Sequence, residues 1–326
     1  MSVEQSQPER GGMGLTVLAC CVVGAITVGA TLFLGGRLGL VRTVAAKAPA
    51  QSTEDYGRRL IAQSSELMGP DVPNPEHRYT RARLACASCH LGTGTEPGTL
   101  TLLEVTIHYP RFSGRQGMQN EIEDRINECM QRSMNGRALP KDNPEMMAMA
   151  SYLRSLGAQM AAMGATARKQ HEPPAFKNPD RAASPEAGKK VYQDHCAVCH
   201  GQDGLGLLAT SSPLHGYVFP PLWGPDSFND GAGMHRVLTA GKFIKARMPL
   251  GKPDLTDDEA YDVAAYINDQ PRPQMANLER DYPDRTTKPV DNGYGPFADS
   301  FPLRQHQIGP FGPIDAYYKS LKSQKK

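Results

Sequence analysis

The pentapeptide Cys-x-x-Cys-His occurs twice, as Cys86-Ala87-Ser88-Cys89-His90 and Cys196-Ala197-Val198-Cys199-His200, and nothing else in the chain constrains its fold as strongly. At this spacing two thiols can each add across a haem vinyl group, and the histidine that follows is placed to bind the iron. A zinc ribbon also uses paired Cys-x-x-Cys. It does not need a histidine directly after both pairs, and two cysteines plus a histidine at this spacing crowd a tetrahedral ion. The motifs therefore predict two covalently bound c-type haems, held by Cys86, Cys89 and His90 and by Cys196, Cys199 and His200. His90 and His200 then each fill one axial site. A haem is itself a large apolar body, so about 100 residues can close a core around each one.

The expected fold is mainly α: two tandem cytochrome c-type domains, each wrapped around a haem, with an N-terminal membrane helix and an irregular C-terminal strap. Residues 1–45 are the anchor or signal segment, 46–163 the first domain, 164–180 a linker rich in proline and charge, 181–272 the second domain, and 273–326 an extension. Gly11 to Gly36 carries no charge, and Leu15 to Leu34 is long enough to span a bilayer as a helix. The alternatives are a signal peptide cleaved near Ala48-Pro49-Ala50 and lipidation at Cys20. Arg10 is offset by Glu9, while Arg37 and Arg42 lie beyond the apolar run, so positive-inside counting does not fix the orientation. Haem attachment fixes it, because c-type haems are added on the outer side of the cytoplasmic membrane. The expected location is the periplasmic side, anchored or soluble after cleavage. The net charge of +2 gives no basic footprint for nucleic acid.

Local signals place the helices. Thr53 to Met68 reads as a short helix. Asn143-Pro144 starts another, expected to run to about Leu156. Ser184-Pro185-Glu186 starts the helix that delivers Cys196, and Thr256 to Glu259 is a capping box for a helix ending near Asp269. Glu145–Leu153 overlays on Glu259–Ile267, matching Tyr152 with Tyr266, which points to a duplicated module in which both tyrosines pack in the core. Arg272 to Lys326 shows no clear periodicity, and its last residues, from Lys319, are expected to fray.

The far side of each iron decides what the protein can do. For the second haem, Met248 in Arg247-Met248-Pro249-Leu250-Gly251 is the leading distal ligand, with Met234, His215 and His235 as competitors. The first domain has no such loop. It has Cys129, the one cysteine of seven that lies neither in a haem motif nor, like Cys20 and Cys21, in the apolar segment. A lone thiol in an oxidising compartment needs something to hold it, and ferric iron would bind its thiolate. The alternatives are an inert buried cysteine, or Met130 or Met134 as ligand instead. On a helix Arg125, Cys129, Arg132 and Ser133 share a face, and Arg115 enters from the preceding loop. Guanidinium forks suit a doubly charged oxyanion. Pairing of these arginines with Glu121, Glu123, Asp124, Glu128 or haem propionates is the plainer alternative.

These residues resemble the dihaem thiosulfate dehydrogenases, or tetrathionate synthases, over roughly Tyr79 to Met275. The specific part is Glu123-Asp124-Arg125-Ile126-Asn127-Glu128-Cys129 followed by Ser133-Met134-Asn135-Gly136. The resemblance implies an oxidoreductase that reversibly couples two thiosulfate ions to tetrathionate and releases two electrons to an acceptor such as another cytochrome c. It also implies Cys129 as distal ligand of the catalytic haem, with Arg115, Arg125 and Ser133 lining the substrate pocket. Members of the family can carry a lysine directly before the distal methionine. Arg247 stands there in this chain and cannot ligate iron, although Lys245 is near. The other expectations are a haem-thiolate sulfur transferase of the Sox type and a non-enzymatic dihaem electron carrier.

Overall fold

The computed structural model describes residues 52–324. The apolar segment, with Cys20 and Cys21, lies outside the described residues. Within them no helix is long and apolar enough to cross a membrane.

The first half is built on two crossing helices. Ser52 accepts the Asp55 amide (3.0 Å) and opens α1 (Thr53–Ala62), and α2 (Ser64–Met68) follows after a break at Gln63. The first haem motif sits on a 3-10 turn, Cys86–Ser88. A small antiparallel hairpin comes next, β1 (Arg111–Ser113) with β2 (Met118–Asn120), leading into α3 (Ile122–Arg132). The Asn-Pro signal starts α4 (Pro144–Ala162), where Asn143 Oδ1 accepts two amides. This helix passes the expected end at Leu156 because Gly157 and Met160 are also buried and continue its apolar face. Leu60, Ile61, Met68, Ile126, Met130, Met149, Tyr152 and Leu156 meet in one core.

The second half repeats the plan. Within 164–180 lies a short helix, α5 (Ala165–Lys169). Ser184 caps α6 (Pro185–Val191), which continues through a π-helical turn, Tyr192–Cys196, into α7 (Ala197–His200), so one continuous helix delivers the second motif. A two-stranded hairpin, β3 (Leu207–Leu208) with β4 (Tyr217–Phe219), precedes α8 (Val237–Arg247) and α9 (Asp257–Asn268). In the capping box of α9, Thr256 Oγ1 accepts the Glu259 amide (3.2 Å) and Glu259 accepts the Thr256 amide (2.8 Å).

The C-terminal segment differs from the expected strap. It ends in α10 (Leu303–Ile308) and α11 (Gly312–Gln324), so helix extends through Lys319 to Gln324 instead of fraying. Phe311, Ile314 and Tyr318 are buried in the second core, and Leu321 packs on it. Ile314, Tyr318 and Leu321 follow a helical spacing, hidden in the sequence by the prolines and glycines just before them.

Candidate active site

Around the first motif, α2 and α3 bring Ser64 and Cys129 close to the cysteine pair. Ser64, at the start of α2, accepts the Cys86 amide (3.0 Å) and donates to Cys86 Sγ (3.2 Å), which fixes the first sulfur. Burial pushes the Cys86 thiol up to about 11 and the Cys89 thiol up to about 12. Both sulfurs lie within electrostatic range of Cys129 on α3. His90 Nδ1 hydrogen-bonds the Leu100 carbonyl at 2.7 Å, which makes Nδ1 the donor and leaves the Nε2 lone pair for a metal. Burial lowers the His90 pKa, with Arg125 adding to the effect, so the neutral imidazole needed for ligation is favoured. These features fit a covalent haem: two thiols for its vinyl groups, an oriented imidazole and a sulfur on the far helix. Among the described residues no three His, Cys, Asp or Glu side chains converge as a zinc site requires, and none of the cysteines is paired in a disulfide.

Arg125 is the cation one helical turn before Cys129. Its pKa is raised above the ordinary value, first by the sulfur of Cys129 and then, against the cost of burial, by Glu128. Nη1 bonds Glu128 Oε2 at 3.1 Å, and 42% of the side chain remains accessible. Met130 and Met134, the alternative ligands, are buried in the first core at 1% and 3% exposure. The other acids of α3 look outward, Glu123 to Arg154 (2.6 Å) and Asp124 to Lys141 (2.7 Å). Ser133, half-buried, follows the last turn of α3, its amide donating to the Cys129 carbonyl.

Arg115 and Arg132 reach a different carboxylate. Arg115 stands in the turn of the β1–β2 hairpin. Its Nη1 donates to the Gly231 carbonyl (2.9 Å) and lies 3.5 Å from Asp281 Oδ2. Burial opposes its charge, but Tyr282, Tyr294, Glu128 and Asp281 outweigh that and hold the guanidinium charged. Arg132 was expected to share the Cys129 face. It is buried, with Nη2 on Asp281 Oδ1 (2.9 Å) and Nη1 on Met275 Sδ (2.8 Å). Sequence reasoning missed three residues here: Ser64, Asp281 and Tyr109. Burial raises the Tyr109 pKa, and its ring lies within electrostatic range of Arg125, Glu128 and Cys129. None carries a local motif that marks it.

The second motif is arranged in the same way. His200 is buried, and its Nδ1 bonds the Pro220 carbonyl at 2.8 Å, again leaving Nε2 for a metal. Burial pushes the Cys196 thiol up to about 11. Met248 directly follows α8 and packs on the core that also contacts Cys196. Two of its competitors are otherwise engaged. His215 bonds Glu66 of α2 at 2.9 Å, and His235 has both ring nitrogens on carbonyls, those of Asp230 and Asn268. Lys245 Nζ donates to the Leu255 carbonyl at 2.5 Å. Arg247 lies 4.0 Å from Glu96, in the loop after His90.

Comparison with known proteins follows the same division. Residues 76–162 match the SoxA/TsdA cytochrome c domain, and residues 183–267 match the family of cytochrome c oxidase, cbb3-type, subunit III. Thiosulfate dehydrogenase of Psychrobacter arcticus is 40% identical over 245 residues, which is 73% of this chain and 71% of the relative. That of Allochromatium vinosum is 42% identical over 208 residues, covering 62% and 75%. Among solved structures, thiosulfate dehydrogenase (TsdBA) from Marichromatium purpuratum in its as-isolated form is 34% identical with a TM-score of 0.61. The match covers 72% of this chain and 49% of that one, so the chain spans about half of its length. Two cytochrome c modules mean two c-type haems. With a cysteine-bearing SoxA/TsdA module joined to a second haem module, and this identity over most of its length, the chain belongs to the thiosulfate dehydrogenase family.

Proposed function

We propose that the chain is a dihaem cytochrome c that oxidises thiosulfate at the first module and releases electrons from the second. The observation that carries this is the cysteine-bearing helix α3 beside the first haem motif, with Cys129 and Arg125 one turn apart on it and Cys129 within electrostatic range of Cys86 and Cys89. Two c-type haems, held by Cys86, Cys89 and His90 and by Cys196, Cys199 and His200, supply two one-electron acceptors when bound. Cys129 and Met248 would hold the two irons opposite His90 and His200.

Arg125 and Arg115 bind the sulfonate end of thiosulfate, since forked donors match its oxygens and its double charge. Ser133, one helical turn from Cys129, adds a hydroxyl donor. This leaves the sulfane sulfur directed at Cys129, whose thiolate would be the reacting group. The Cys129 thiolate and the sulfane sulfur form an S–S bond with loss of two electrons, giving a cysteinyl S-thiosulfonate. A second thiosulfate attacks the sulfane sulfur of that adduct. The bond to Cys129 breaks, its thiolate returns, and tetrathionate leaves. Charge balances in both steps, and the two electrons pass one at a time to the second module and on to an acceptor such as another cytochrome c.

Anaerobic mixing of oxidised protein with thiosulfate tests this. Reduction of the haem bands with stoichiometric tetrathionate is expected. An unchanged spectrum would leave only an electron carrier, and sulfur transfer without tetrathionate would point to a Sox-type transferase. The uncharged run Gly11 to Gly36 supports attachment to the periplasmic face of the cytoplasmic membrane. Release of full-length protein by salt and carbonate washes would count against an anchor.

A further inference from the structure

The C-terminal segment grips the turn that carries Arg115. Gly117 faces Pro283 so closely that an added Cβ would stand 2.5 Å from its Cγ, and one on Gly114 would stand 3.0 Å from Thr287 Oγ1. Between these contacts the Tyr282 amide donates to the Arg115 carbonyl at 2.7 Å. The Arg115 guanidinium lies over the Tyr282 ring, 5.5 Å from its centroid. The backbone of the turn is thus set by residues more than 160 positions later in the chain.

Asp281 is the charged part of this grip. Its carboxylate lies beside Arg115, accepts from Arg132 (2.9 Å) and accepts the Tyr294 hydroxyl (2.6 Å). The main chain at this residue is held as well, since Arg285 donates to the Asp281 backbone carbonyl. A guanidinium held on one edge by Gly231 O and Asp281 has its remaining N–H groups directed by geometry instead of by rotamer choice. Glu128, which bonds Arg125, is within electrostatic range of Arg115. Arg115 thus lies on the Glu128 side of α3 but owes its orientation to another part of the chain.

We propose that Asp281 is a positioning residue for the thiosulfate site, acting through Arg115. This rests on the assignment of Arg115 to substrate binding. One carboxylate shared by two arginines leaves the pair with an excess positive charge for an anion while preventing the two forks from splaying apart. The C-terminal segment is then part of the catalytic apparatus as well as of the second core.

A double-mutant cycle on full-length holoprotein tests it. Arg115→Ala, Asp281→Ala and the double variant are compared by kcat and KM, and by calorimetric titration of the fully reduced protein with thiosulfate, where no acceptor is left for turnover. Asp281→Ala is expected to raise KM and Kd about tenfold with both haems retained, and the double variant to match Arg115→Ala within about twofold. Tyr294→Phe should move KM the same way by a smaller factor. Arg125→Ala combined with Asp281→Ala should be additive, because the two side chains share no bond. If Arg115→Ala binds thiosulfate normally, the substrate role of Arg115 fails. If Arg115→Ala is impaired but the cycle is additive, the role of Asp281 alone fails. A fall in melting temperature with unchanged KM and Kd would also overturn it. Should Asp281→Ala not fold, Asp281→Asn, which keeps volume and one acceptor, carries the same cycle.

Discussion

The carbonyl oxygen of Ala148 lies 2.0 Å from where a Cβ on Gly57 would stand. The second module repeats this contact, with Gly188 at 2.0 Å from the carbonyl of Asp262. Ala148 and Asp262 are equivalent when Glu145–Leu153 is laid on Glu259–Ile267, so the duplication extends to the crossing of the helices. Gly57→Ala or Gly188→Ala forces α1 from α4, or α6 from α9, at a cost of about 1–3 kcal/mol. The expected fall in melting midpoint is about 5–10 °C, read by circular dichroism. An unchanged midpoint would mean that the helices do not meet at these glycines.

Cys129→Gly removes the sulfur and leaves both haem motifs intact. Turnover with thiosulfate should fall by at least about 100-fold, with two haems per chain retained. Normal rates would exclude Cys129 from the chemistry.

Arg125 has its fork on Glu128 and within electrostatic range of Cys129. Arg125→Ala should lower kcat/KM by about 10–100-fold, the loss of one charge-assisted contact of about 1.4–3 kcal/mol. Arg125→Lys should recover only part, because a point charge lacks the paired donors. Full recovery by lysine would show that charge alone matters.

Lys288 is buried among Tyr282, Tyr294 and Phe297, with Nζ donating to the Pro296 carbonyl at 3.1 Å. Burial is the largest effect and brings its pKa down from 10.5 to about 8; Arg285 and Arg115 add to this and Asp281 opposes it. Between about 8 and 10.5 the unfolded chain holds more protons at this residue than the folded one, so stability rises with pH through that window. Below about 8 the full penalty applies. Lys288→Met should raise the melting temperature at pH 7 by a few degrees and flatten the rise above pH 8. A variant less stable at pH 7 would mean that the ring contacts outweigh desolvation.

The features that were readable in the sequence are local ones. The caps at Asn143, Ser184 and Thr256 join residues two or three apart, so the pattern carries them. Arg132 shows where a local rule misleads: helical spacing placed it with Cys129, but Asp281, 149 positions later, draws it elsewhere. His215 was a candidate ligand from its type and place, and a glutamate of the first module holds it. The helical C-terminus was obscured by the prolines and glycines ahead of it.

The sequence by itself determined the cofactor chemistry, the duplicated helical plan and the unpaired cysteine, because each depends on residue identity at short spacing. Tertiary structure alone decided which arginines are tied to Asp281 and how the hairpin bearing Arg115 is held. Those outcomes depend on where burial brings distant charges together. A buried guanidinium must find an acceptor, and only the folded chain sets which one is in reach.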